Sequence, residues 1–133
     1  MENKILLVED DPIIQRVHHL FLDKMGFRVD LAGTGTQALQ MSECRSYNLI
    51  ILDGGLPDMI GVEVGKKIRK LERYHKIARR SILLLSAYSS DLLKHWCKEA
   101  EIDSFLVKPV SYNNLFFRLE NYFNKSIFID RAA

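Results

Sequence analysis

Four runs of branched aliphatic residues constrain this chain more than any other feature, because each ends abruptly in a reactive polar group. Ile5-Leu6-Leu7-Val8 runs into Glu9-Asp10-Asp11, and Leu49-Ile50-Ile51-Leu52 runs into Asp53. Ile82-Leu83-Leu84-Leu85 runs into Ser86, and Phe105-Leu106-Val107 into Lys108-Pro109. Runs that are apolar without alternation read as strands buried on both faces of a parallel sheet. In such a sheet the carboxyl ends of the strands share one edge, and ligands bind in the crevice there. Carboxylates, a hydroxyl and an ammonium should therefore converge at a single spot.

Between these runs lie helical patterns, the mark of βαβ units. Pro12 suits a first helical turn, Ile13, Val17, Leu20 and Phe21 recur at helical spacing, and Gly26 reads as a C-terminal cap. Phe27, Val29 and Leu31 alternate with Arg28 and Asp30, which places that strand at a sheet edge. A Gly33-Thr34-Gly35 turn leads into a helix with Ala38, Leu39 and Met41. Later helices carry Val62, Val64, Ile68 and Leu71, then Leu92, Leu93 and Trp96, then Leu115, Phe116, Leu119 and Phe123. Five strands and five helices with short connections and right-handed crossovers give helices on both faces of the sheet. The edge character of the second strand favours the order 2-1-3-4-5. That order makes Glu9, Asp10 and Asp53 neighbours at the topological switch point.

With 133 residues, 47% hydrophobic and 27% charged, the chain has the size and composition of one soluble domain. No apolar stretch approaches the roughly 20 residues of a membrane span, and the N-terminus has no signal-peptide pattern. A cytoplasmic domain without membrane contact is expected. Cys44 and Cys97 lack metal-like spacing and read as small helix residues rather than a disulfide. A net charge of +2 gives no case for nucleic acid. Lys66, Lys67, Arg69, Lys70, Arg73, Lys76, Arg79 and Arg80 nevertheless crowd one stretch against Glu72 alone. The stretch reads as a solvated helix face and loop, with a docking patch for an acidic partner as the alternative.

Carboxylates packed at one strand edge repel, so one must hold a proton or the group must share a cation. A compact, all-oxygen set suits Mg²⁺. Helix capping explains Asp10 or Asp11 singly, but not Asp53, Ser86 and Lys108 at equivalent strand ends. An aspartate is ordinarily ionised at neutral pH and can attack phosphorus without a general base. Phosphoryl transfer then requires mainly positioning and charge neutralisation, which Mg²⁺, Lys108 and the Ser86 hydroxyl can supply. The inventory matches an aspartyl-phosphate site.

At this point the chain resembles the receiver domain of two-component response regulators. The matching pieces are Val8-Glu9-Asp10-Asp11, Leu52-Asp53, Leu56-Pro57-Asp58-Met59 with Gly61, Ser86-Ala87 and Phe105-Leu106-Val107-Lys108-Pro109. The similarity covers residues 3–125 and leaves 126–133 as a tail. It implies a flavodoxin-like (βα)₅ fold and phosphorylation of Asp53 from a phosphohistidine donor. It further implies Mg²⁺ held by Asp10, Asp53 and the Gly55 carbonyl, with Glu9 acting through a water. By the same resemblance Ser86 and the Ala87 N–H contact the phosphoryl group and Lys108 pairs with it. Phe105 fills an aromatic switch position coupled to Ser86, and the Lys108–Pro109 bond is of the kind that is cis.

The implied partner is a histidine kinase or a histidine phosphotransfer domain docking around Pro12–His18, with the chain a monomer or weak homodimer. No DNA-binding pattern follows residue 125, so the chain reads as a stand-alone receiver or as one excised from a larger protein. The Leu56–Met59 loop and the Lys108-Pro109-Val110 turn resemble receivers of hybrid sensor histidine kinases. Two rival readings are a phosphorylation-independent docking module and a Mg²⁺-dependent phosphohydrolase. The latter lacks a second Asp two residues after Asp53 to act as general acid.

The chain also departs from the family pattern. Gly54 stands where a bulky aliphatic residue is usual, and Gly54-Gly55 predicts extra backbone freedom beside the metal ligand. Ile60 replaces a small polar residue, and Glu101-Ile102-Asp103 obliges the fourth helix to end without glycine. His18-His19 reads as a partly exposed, partner-facing pair. Of Trp96, Tyr112, Phe116, Phe117, Tyr122 and Phe123, most are expected in the core and the rest on an apolar docking surface.

Overall fold

The computed structural model describes residues 3–123. The strands are β1 (Lys4–Val8), β2 (Arg28–Ala32), β3 (Leu49–Asp53), β4 (Ser81–Ser86) and β5 (Ser104–Val107). The helices are α1 (Pro12–Lys24), α2 (Gly35–Cys44), α3 (Gly61–His75), α4 (Asp91–Glu99) and α5 (Tyr112–Leu119). All neighbouring strands are parallel, in the order β2-β1-β3-β4-β5. Fold class and strand order are those the apolar runs predict. The expected tail, 126–133, lies outside the described residues.

Alternation along the three central strands divides the interior in two. Leu6, Val8, Ile50, Leu52, Ile82 and Leu84 face Ala38 of α2, Val64 and Ile68 of α3, and Cys97 of α4. Ile5, Leu7, Leu49, Ile51, Leu83 and Leu85 face Leu22 of α1 and Leu115 and Leu119 of α5. Burial on both faces is why these strands carry polar residues only at their ends. Each fully buried Leu or Ile contributes about 1.5–3 kcal/mol. No described helix is long and apolar enough to cross a membrane.

Helix ends follow local chemistry. Asp11 caps α1 by accepting the N–H groups of Ile13 at 2.9 Å and Ile14 at 3.1 Å, the role expected of it. Gly26, with φ of 93°, closes α1 while Phe27 N–H donates to Leu22 O and Gly26 N–H to Asp23 O. The fourth helix ends the same way without glycine: Glu101 takes φ of 59°, and Ile102 N–H donates to Cys97 O.

Two expectations need correction. The basic stretch is only partly a solvated face, because Arg69 and Arg80 are 2% and 3% exposed. Arg69 Nη1 donates to Glu72 Oε1 at 2.8 Å and to Arg80 O at 2.7 Å, and its Nε donates to Glu101 O at 3.0 Å. Arg80 Nε donates to Glu72 Oε2 at 2.9 Å. The Arg69 guanidinium is tolerable in the interior because its fork is filled in this way; Arg80 keeps Glu72 as counter-charge but leaves its Nη2 without a partner. The neighbouring lysines, Lys66, Lys67, Lys70 and Lys76, are exposed. The histidine pair is split as well: His18 is buried, and burial with the nearby Lys108 charge lowers its pKa. His18 and Leu22 are the buried positions of α1, so Ile13, Val17 and Leu20 are left exposed.

Of the aromatic residues, Tyr112, Phe116, Tyr122 and Phe123 pack against the α1–α5 side of the core. Trp96 and Phe117 are exposed.

Candidate functional site

Parallel register brings the polar strand ends together. Asp53 is the last residue of β3 and Ser86 the last of β4; Glu9 and Asp10 follow β1, and Lys108 follows β5. The strand edge continues as hydrogen bonds beyond the strands. Gly54 N–H donates to Leu85 O at 2.8 Å, Lys108 N–H to Ser86 O at 2.7 Å, and Glu9 N–H to Ala32 O at 3.0 Å.

Glu9, Asp10 and Asp53 offer carboxylate oxygens all within 4.8 Å of one another. Lys108 Nζ pairs directly with Asp53 Oδ1 and lies 3.8 Å from Glu9 Oε1. Glu9 is 2% exposed, and its Oε1 is buried without a hydrogen-bond partner. Its carboxyl is pushed up to about 7, chiefly by burial and further by the Asp53 charge; the Asp11 N–H and Lys108 oppose the shift. A buried oxygen with no donor, beside two more carboxylates, fits a hard divalent cation. Asp10 is exposed, so the cluster opens to solvent on one side.

Ser86 is buried, and its Oγ accepts the Tyr88 N–H at 3.1 Å. Ala87, just beyond, is exposed. Phe105 is half-buried beside a surface cavity of about 570 Å³ that Arg118 and Cys97 also line. The Lys108–Pro109 peptide is cis.

The loop after Asp53 is better fixed than its two glycines suggest. Among the described glycines only Gly26 has a positive φ, so neither Gly54 nor Gly55 uses glycine's special conformational range. Gly54 serves close approach instead: a Cβ there would lie 3.1 Å from Leu85 O. Gly61 N–H donates to Gly54 O at 3.0 Å, and Gly55 bridges Ile60. Asp58 anchors this loop, a role its place in the Leu56–Met59 motif did not specify, and His18, read as partner-facing, is buried instead. His18, Ile13, Val17, Ala87 and Lys108 line an apolar cavity of about 400 Å³ beside the acids. This cavity borders the Pro12–His18 stretch around which a partner is expected.

The sequence profile of the response regulator receiver domain matches residues 5–120. The chain belongs to that family. This receiver is 34% identical over 116 residues to hybrid signal transduction histidine kinase K of Dictyostelium discoideum, covering 84% of the receiver and 10% of the kinase. The chain spans about half or less of the length of these curated relatives.

Solved structures that resemble the receiver include one with a metal ion and one with a partner protein. The receiver domain of a sensor histidine kinase from Pseudomonas aeruginosa, with magnesium in its active-site cleft, is 30% identical with a TM-score of 0.79; 92% of this chain and 98% of that one are covered. The receiver domain of a Saccharomyces cerevisiae response regulator, solved with a histidine phosphotransfer protein, is 27% identical with a TM-score of 0.87, covering 97% and 94%. The receiver thus belongs to two-component and phosphorelay signalling.

Proposed function

We propose that this receiver accepts a phosphoryl group on Asp53 from a phosphohistidine and thereby changes its affinity for a partner. The observation that carries this reading is the convergence of Glu9, Asp10 and Asp53 with Lys108 at one strand edge. An Asp53 carboxylate oxygen forms the new O–P bond as the P–N bond of the donor breaks, and the electron pair leaves with the imidazole. Asp10 and Asp53 side chains and the Gly55 carbonyl would hold Mg²⁺, with Glu9 reaching it through a water. When bound, the ion supplies charge neutralisation at the phosphoryl oxygens. Lys108 moves from Asp53 to a phosphoryl oxygen, Ser86 Oγ leaves the Tyr88 N–H to meet another, and the Ala87 N–H donates to the group. Phe105 follows Ser86, turning within the space beside α4, β5 and α5. In this reading the receiver's own residues promote phosphorylation and its loss.

The donor docks on α1. Ile13 is 77% exposed, and Val17 and Leu20 are also exposed, an apolar surface next to the acids that suits a helical partner. The yeast receiver solved with its phosphotransfer protein supports a histidine phosphotransfer domain or a histidine kinase as donor. Cytoplasmic placement accords with such donors.

The test is incubation with acetyl phosphate and Mg²⁺, read by intact mass. An adduct of one phosphoryl group, absent in Asp53→Asn and without added Mg²⁺, is expected. An unmodified protein would favour the phosphorylation-independent docking module, and sustained turnover of phosphate esters the hydrolase.

A further inference from the structure

The β3–α3 loop is tied at its far end to a different element. Asp58 Oδ1 accepts the Gly35 N–H at 2.8 Å. Asp58 Oδ2 accepts the Thr36 N–H at 2.8 Å and the Thr36 hydroxyl at 2.7 Å. Gly35 and Thr36 open α2, where N–H groups have no partner within the helix. The helix's own cap, Thr34, serves only Gln37 N–H, at 3.0 Å. Asp58 thus completes α2 from outside, and these bonds hold its carboxyl down to about 2.

Gly55 is held from within its own loop, through the bridge to Ile60. A Cβ at that position would meet nothing within 4 Å, so the side of Gly55 away from the bridge faces open space. Its place comes from the rest of the loop. Leu56 is buried in the core, and Met59 lies so close to α2 that a Cβ on Gly35 would sit 2.6 Å from Met59 Cγ. Apolar contacts of this sort set how deep the loop lies but are not directional. The three Asp58 bonds are directional and fix how far the loop can slide along α2.

We infer that Asp58 is a positioning residue for the candidate metal site: by fastening the loop to the first turn of α2, it holds the Gly55 carbonyl beside Asp53. This rests on Gly55 as a carbonyl donor to Mg²⁺, as proposed above. A purely structural role would be stabilisation of α2 alone, and Thr34 supplies the control, since its cap supports the same helix without touching the loop.

The experiment is a Mg²⁺ titration followed by the amide signals of residues 53–56 in wild type, Asp53→Asn, Asp58→Ala, Asp58→Asn and Thr34→Ala, with thermal melts of each. Asp58→Ala should weaken Mg²⁺ binding about tenfold, as loss of groups that orient metal ligands commonly does. Asp58→Asn, which keeps one acceptor oxygen, should fall between, and Thr34→Ala should lower the melting temperature with unchanged Mg²⁺ affinity. Wild-type affinity in Asp58→Ala, or equal weakening in Asp58→Ala and Thr34→Ala, overturns the inference while leaving the metal site standing. A wild type whose response to Mg²⁺ matches that of Asp53→Asn overturns the site and the inference together.

Discussion

Glu9 is a carboxyl in a place that penalises its charge, and its unpartnered Oε1 beside Asp53 is a cost the fold retains. Natural sequences keep such a group where a ligand will use it. The glycines of the neighbouring loop differ among themselves in the same physical terms. At Gly55 there is open space and no positive φ, so Gly55→Ala should stabilise the receiver by about 0.5 kcal/mol through the unfolded chain. At Gly61 a Cβ would fall 2.5 Å from Asp53 O, so Gly61→Ala should destabilise it by about 1–3 kcal/mol and disturb the Asp53 backbone. Urea unfolding of both variants checks the opposite signs.

Among the elements, the sequences of α3 and α1 mislead. Glu72 bonds both Arg69 and Arg80 in the interior. Glu72→Ala would leave the buried Arg80 guanidinium without its counter-charge and Arg69 with Asp103 alone, at about 3–5 kcal/mol. Lys67→Ala, which removes an exposed pairing with Glu63, should cost less than about 0.5 kcal/mol. Denaturant midpoints of the two variants separate the buried network from the surface charge. Spacing along α3 marks Val64 and Ile68 as inward but cannot mark Arg69. The groups that make its burial tolerable, Arg80 O, Glu101 O and Asp103, come from chain segments that only the fold brings near. His18 was hidden for the same reason, since Ile13, Val17 and Leu20 formed a plausible inward stripe that in fact faces outward. The three central strands were legible because burial on both faces leaves a continuous apolar run, and Asp53, Glu9, Ser86 and Lys108 because each ends or follows an apolar run. β5 carries such a run although, as an edge strand, it is only half-buried.

For the whole molecule, the shift at Glu9 links stability to pH and to metal. The folded carboxyl titrates near 7 against an ordinary 4.5, so the folded state keeps a proton that the unfolded chain has lost. Its contribution is fully present below about pH 4.5 and is lost as pH rises through 7. Without metal, the melting temperature should therefore fall over that window, and the fall should be absent in Glu9→Gln. Mg²⁺ competes with that proton, so the stabilisation it gives should be larger at about pH 8 than at about pH 6. Melts across pH with and without Mg²⁺ check both signs.

Of the clustered acids, Asp53 alone is expected to become the acyl phosphate. Borohydride reduces an aspartyl phosphate to homoserine, so reduction after incubation with acetyl phosphate and Mg²⁺, followed by peptide mass mapping, locates the group directly. Homoserine is expected at position 53 only. Reduction product at position 10, or unmodified Asp53 in protein that has gained a phosphoryl group, would contradict it.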